Sequence, residues 1–192
     1  MANALEGRTI LILTSNFGTE TDEIRHPLDA LREAGAEVIV AAPEEGTVLT
    51  LERDRERGAD VPVDTTLDTV DPAGVDALVL PGGTLNADTL RTDETAQRLV
   101  RAVAAAGRPV AAICHAPWLL VETGLAEGSV LTSVPGIRTD MVNAGAEWLD
   151  REVVVDDHAG YRLLTSRTPD DLDAFTGAII EALTSPAPGG AS

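Results

Sequence analysis

The sequence predicts an α/β protein, a three-layer sandwich on a mainly parallel, flavodoxin-like sheet with a nucleophile elbow. Three observations carry this expectation. Short apolar runs recur at residues 8–14 (RTILILT), 37–42 (EVIVAA), 76–80 (DALVL) and 110–113 (VAAI). Their length and apolar character suit buried strands. Segments of helical spacing lie between them and are closed by Gly35 and Gly107, natural C-terminal stops. Finally, one apolar strand runs straight into an apolar helix start through Cys114, the only cysteine in the chain.

Taken in order, residues 8–14 form the first strand and residues 15–19 a loop. A helix is expected over residues 20–34, with Ile24, Leu28, Leu31 and Ala34 on its apolar side. Pro27 falls inside it and predicts a kink or a second start. The second strand, 37–42, completes a βαβ opening. Residues 43–69 are a polar interlude: short β-like pieces at 47–51 and 61–63 flank the charged stretch 52–57, as in a surface hairpin. The third strand, 76–80, ends in Pro81-Gly82-Gly83. A helix over 93–106 presents Ala96, Leu99, Val100 and Val103, and the strand 110–113 leads to a helix ending near Thr123. Further strands are expected at 129–132, 152–155 and 162–166. A closing amphipathic helix covers 169–183, with Leu172, Phe175, Ala178, Ile179 and Leu183 on one side. Residues 1–184 form one domain, and 185–192 (SPAPGGAS) a flexible tail.

Composition narrows the function classes. The 192 residues are 44% hydrophobic, enough for a substantial core. No apolar run nears the roughly 18 residues of a membrane span, and the N-terminus lacks the pattern of a signal peptide. One cysteine excludes an internal disulfide framework and gives no metal cluster. The expected location is the cytoplasm. Fourteen basic residues, all arginine, stand against 32 acidic ones, for a net charge of −18. Such a surface repels nucleic acid and anionic membranes. It fits either adaptation to a salty cytoplasm or a GC-rich genome that replaces lysine with arginine.

In open α/β sheets, ligands gather beyond the carboxyl ends of the strands. Glu20 after the first strand, Gly82-Gly83 after the third and Cys114-His115 after the next all fall on that rim. A lone cysteine is usually inert core. At a strand-to-helix turn, however, the helix N-terminus and a neighbouring imidazole lower a thiol pKa. Gly83 and the residue after the nucleophile, His115, then offer two backbone amides as an oxyanion hole. His26 and His158 read as surface residues, and Trp118 and Trp148 as packing anchors.

The motifs AAICHAPWLL (111–120), LVLPGG (78–83) and PGIRTDMVNAGAEW (135–148), with VVVD (153–156) and TSRTPDDL (165–172), resemble the PfpI family. This is the intracellular-protease and deglycase branch of the class I glutamine-amidotransferase-like superfamily, and the similarity spans about residues 9–183. The resemblance implies Cys114 as nucleophile, His115 as its base or orienting partner and Glu20 as the carboxylate at the thiol. It also implies Gly83 and His115 as oxyanion-hole amides, and Asp88 as an acidic residue reaching a histidine across a subunit interface. The chain departs from the family in Ala116, where glycine is frequent, in Val134, where some relatives have tyrosine, and in residues 157–161, which lengthen a hairpin.

The expected activity is that of a cofactor-independent, metal-free cysteine enzyme. It would act on reactive carbonyls such as methylglyoxal, or on glycated protein or peptide, as a homodimer or a larger stack up to a hexamer. An intracellular peptidase and a redox-sensing or chaperone-like stress protein are the alternatives. Glutamine amidotransfer fits less well, because the late His158 is followed two residues on by Gly160 rather than a carboxylate.

Overall fold

The computed structural model describes residues 3–185. Of the tail expected at 185–192, residues 186–192 lie outside the described residues. The main sheet is built from β1 (Thr9–Leu13), β3 (Glu37–Ala42), β7 (Thr65–Thr66), β8 (Ala77–Leu80), β9 (Val110–Ile113), β12 (Val153–Asp156) and β13 (Leu163–Ser166). The remaining strands are β2 (Phe17–Glu20), β4 (Thr47–Glu52), β5 (Glu56–Arg57), β6 (Val61–Pro62), β10 (Val130–Leu131) and β11 (Glu147–Trp148). The helices are α1 (Thr21–Glu33), α2 (Thr84–Arg91), α3 (Glu94–Ala105), α4 (Pro117–Thr123), α5 (Arg138–Asn143) and α6 (Leu172–Thr184).

The strand order is β12-β13-β9-β8-β1-β3-β7, parallel except for the antiparallel edge strand β12. Parallel strands joined by helices have both faces covered, so their sequences are apolar throughout. Leu11, Leu13, Leu78, Leu80 and Ala112 pack on one face with Leu99, Val100 and Val103 of α3. Ile10, Ile12, Val79, Ala111 and Ile113 pack on the other with Ile24 and Leu31 of α1 and Phe175 and Ile179 of α6. This is the expected three-layer sandwich. No helix among the described residues is long and apolar enough to cross a membrane.

Several boundaries sharpen. Helix α3 starts one residue later than expected, because Asp93 caps it by accepting from the amides of Thr95 and Ala96. Helix α1 runs unbroken through Pro27, so the second start does not occur; proline costs only the hydrogen bond to the Glu23 carbonyl. The loop expected at 15–19 gives way to β2, which pairs with β4. Helices α2 and α5 and strand β11 arise where no element was expected, while β10, the partner of β11, falls inside the strand expected at 129–132.

Candidate active site

The ends of three adjacent strands, β1, β8 and β9, form the site rim. Cys114 follows β9 with φ of 62°, in the left-handed region. For a residue other than glycine this costs about 1–2 kcal/mol. Three hydrogen bonds pin the turn: Cys114 N–H donates to Ser166 C=O (3.1 Å), Val134 N–H to Cys114 C=O (3.0 Å), and Ala116 N–H to Ile113 C=O (3.0 Å). Pro117 then opens α4 at a position where its missing N–H is harmless. The side chain is thereby pushed off the sheet while the residue stays 9% exposed.

The turn after β8 faces the thiol. Gly83 has φ of 90°, and a Cβ there would run into Gly18 C=O and lie 2.7 Å from the Glu20 amide, so only glycine fits. Asn86, fully buried in α2, holds this turn. It donates to Pro81 C=O (2.8 Å) and Gly82 C=O (3.0 Å) and accepts from Ser15 N–H (2.7 Å). The turn is thus clamped to the end of β1. The backbone N–H groups of Gly83 and His115 lie on the Cys114 sulfur's side of the site and favour its anion. These are the two amides expected from the sequence, and both act on the thiol.

The carboxylate is a different residue from the one expected. Glu20 ends β2 and turns outward, where it accepts the Arg53 N–H at 2.9 and 3.2 Å. Glu23, one helical step further along α1, is fully buried. It accepts the Gly82 N–H at 2.8 Å and lies close enough to the Cys114 thiol for the two to shift each other's titration. Its other oxygen, Oε1, has no partner among the described residues. The cause is the chain path: Glu20 is still extended, and the first turn of α1 swings Glu23 beneath Gly82. One sequence signal pointed there. Glu23 lies in the i, i+4 row with Pro27 and Leu31, and all three are buried.

Burial raises the Glu23 carboxyl to about 8. At neutral pH it is mainly protonated, and it still accepts the Gly82 N–H. Burial also pushes the Cys114 thiol well up, as does the charge of nearby Glu23. The lowered thiol pKa expected from the helix start is outweighed here by desolvation. His115 is half-buried and its imidazole is held low, again by burial, with the Asp54 carboxylate opposing. His115 Nδ1 lies 3.3 Å from Cys114 Sγ, and the indole of Trp118 packs against the ring at 5.4 Å. Trp118 also donates to Asp140 at 2.7 Å.

Asp88 sits on the exposed side of α2, near the exposed Leu85. His158 is exposed in the β12–β13 turn, paired with Asp156 at 2.7 Å, and His26 lies 3.4 Å from Asp173. Trp148 donates to Ser133 Oγ at 3.0 Å. The β4–β5 hairpin borders a polar cleft of about 540 Å³ lined by Glu20, Asp22, Glu52, Arg53, Arg55 and Asp170 among others, and Cys114, His115 and Glu23 are not part of its lining. Among the described residues no group of three or more His, Cys, Asp or Glu is placed to hold a metal ion.

A thiol on a strained strand-to-helix turn, facing two amides and a buried carboxyl at the rim of a parallel sheet, defines a nucleophile-elbow protein. The chain belongs to the DJ-1/PfpI family, which it matches over residues 8–182. It is 41% identical over 174 residues to Deglycase PfpI of Pyrococcus furiosus, covering 91% of this chain and 98% of that one. To Protein/nucleic acid deglycase 2 of Escherichia coli it is 41% identical over 173 residues, covering 90% and 95%. Among solved structures, Drosophila melanogaster DJ-1beta aligns with a TM-score of 0.81 at 31% identity, covering 96% of this chain and 92% of that one.

Proposed function

We propose that this protein is a cytoplasmic, cofactor-independent cysteine enzyme that acts on small reactive carbonyls and on early glycation adducts. The observation that carries this is the meeting of Cys114 with Glu23 and with the amides of Gly83 and His115. Relatives named as deglycases support the substrate class. The buried thiol reacts as a thiol that loses its proton during attack. As the S–C bond forms on an aldehyde carbon, the carbonyl π pair moves to oxygen, where the Gly83 and His115 amides receive it. The thiol proton passes to His115 Nδ1.

On methylglyoxal the product is a hemithioacetal. Ionised Glu23 takes a proton from the former aldehyde carbon, and the neighbouring carbon is reprotonated. The resulting thioester is hydrolysed to a hydroxy acid and the free thiol. A carboxyl near 8 suits this exchange, because both of its protonation states are populated near neutrality. Exposure of only 9% at Cys114 admits a small carbonyl more readily than a folded polypeptide, which favours this chemistry over peptidase action.

The same neutral Glu23 favours a second reading: its O–H is placed to stabilise an oxidised sulfur, as a redox sensor requires. Methylglyoxal consumption by wild type and Cys114→Ser decides between them. The enzyme reading expects loss of at least a hundredfold in turnover. Equal turnover in both sinks the thiol mechanism. No turnover in wild type, with oxidation of Cys114 by low peroxide, favours the sensor.

We further propose a homodimer, with stacking to a hexamer a further step. Phe17 and Leu85 are both exposed, Leu85 packs over Gly18 next to Phe17, and Asp88 is on the same helix as Leu85. A second copy covering this patch would bring its Asp88 to the rim.

A further inference from the structure

The turn joining β4 and β5 is strained in two successive residues. Arg53 and Asp54 have φ of 55° and 58°, and Arg55 N–H closes the turn onto Glu52 C=O at 3.1 Å. Neither residue is glycine, and asparagine-glycine is the usual solution at such a turn. Contacts with the site hold the strained form in place. Arg53 N–H donates to Glu20, and the Asp54 carboxylate receives both groups of Thr84, N–H at 2.8 Å and Oγ1–H at 2.6 Å. Thr84 is the first residue of α2, and Gly83 before it has no side chain to cap that helix.

Thr84 Oγ1 lies 3.3 Å from His115 Nε2. Its only proton is committed to Asp54, so towards His115 it accepts. That selects the imidazole with hydrogen on Nε2 and leaves the Nδ1 lone pair facing Cys114 Sγ. Around His115, Asp54 approaches from the hairpin, Cys114 from its own turn, and Trp118 from α4, with Glu23 of α1 behind the sulfur. A plain helix cap would need only the Thr84 N–H. The hydroxyl link to the imidazole is the additional feature.

We propose that Asp54 and Thr84 are positioning residues within the same chain: they hold His115 in the Nε2–H tautomer, so that Nδ1 accepts the proton of Cys114. This deepens the enzyme reading and rests on it only for its kinetic consequence. The tautomer is measurable without turnover.

The test is long-range ¹⁵N–¹H NMR of protein labelled at its three histidines, with His115→Gln identifying the His115 signals. Wild type is expected to show the Nε2–H pattern. Thr84→Val keeps the backbone cap but should move His115 towards the Nδ1–H form, and Thr84→Ser should restore it. On methylglyoxal, Thr84→Val should lose roughly tenfold in kcat with little change in KM. If Thr84→Val does not fold, Asp54→Ala carries the same measurement. An unchanged tautomer in the folded variant overturns the proposal, even if kcat falls. A tautomer that responds to Asp88→Ala and not to Asp54→Ala overturns it as well. If wild type lacks turnover but the tautomer follows Thr84, the activity reading fails and the relay stands.

Discussion

Glu23 and Cys114 close on Gly82 from two sides. A Cβ at Gly82 would collide with Glu23 Oε2 and lie 2.7 Å from Cys114 Cβ. The carboxyl reaches the thiol only because residue 82 has no side chain, and the Gly82 N–H then fixes the carboxyl's orientation.

This burial gives a pH signature. Glu23 is protonated in both states below its ordinary value of 4.5. Between 4.5 and about 8 the unfolded chain has released that proton while the folded chain keeps it. Stability therefore falls as pH rises through that window and levels off above about 8. The fall is on the order of a few kcal/mol for so buried a group. Glu23→Gln keeps an acceptor for the Gly82 N–H and removes the titration. Against wild type it should be no more stable at pH 4 and clearly more stable at pH 8.5, read from urea midpoints. Equal midpoint differences at both pH values would contradict a buried, proton-retaining carboxyl. Methylglyoxal turnover of the variant should drop at least a hundredfold, because an amide moves no proton.

Gly83 is expected to tolerate no side chain. Alanine there would need φ of 90° and would press on Gly18 C=O and the Glu20 amide, which are backbone and yield little. Gly83→Ala should cost about 2 kcal/mol or more in chemical denaturation. It should lower kcat more than it raises KM, since the displaced amide serves the developing oxyanion. A variant with native stability and kcat would show that the turn is not sterically fixed.

Asn86 links the ends of β1 and β8 through a side chain with no exposure. Truncation to alanine strands the Ser15 N–H and the Pro81 carbonyl and leaves the Gly82 carbonyl only the longer bond from the Glu20 N–H, at 3.3 Å. Each lost partner costs roughly 1 kcal/mol or more. Asn86→Ala should lose about 2–4 kcal/mol, with Asn86→Asp also destabilised because a carboxylate cannot donate to the two carbonyls. Loss below 1 kcal/mol would mean that water replaces the side chain.

The layered fold was legible because each buried strand is a short apolar run and each helix has its stripe, as in Ile10 and Ile12 against Ile24 and Leu31. Cys114 was legible from position alone: an apolar strand before it and an apolar helix after it leave room only for a tight turn. Helix α2 was not, since TLNADTLR follows two glycines and its buried positions, Asn86, Ala87 and Leu90, include a polar one. Glu20 and Glu23 could not be told apart from spacing, because the choice depends on where β2 ends and α1 begins. Asp54 was hidden for a stronger reason. It meets Thr84 thirty residues away, through a charged hairpin that reads as solvent-exposed sequence.

The last prediction concerns the face that carries Asp88. Phe17 and Leu85 are 47% and 45% exposed, and Leu85 packs over Gly18, the residue next to Phe17, so this face carries two exposed large apolar side chains. Covering it in a symmetric dimer buries the same patch twice and sets Asp88 of one copy beside the rim of the other. Leu85→Glu should shift the protein to monomer in sedimentation at salt high enough to screen the net charge of −18. Asp88→Ala should keep the dimer and lose activity. Mixing Asp88→Ala with Cys114→Ser subunits should then recover some turnover, because one of the two sites in a mixed dimer keeps both residues. Demonstrated subunit exchange without recovery would remove Asp88 from the site, while leaving the patch formed by Phe17 and Leu85 to be judged by sedimentation alone.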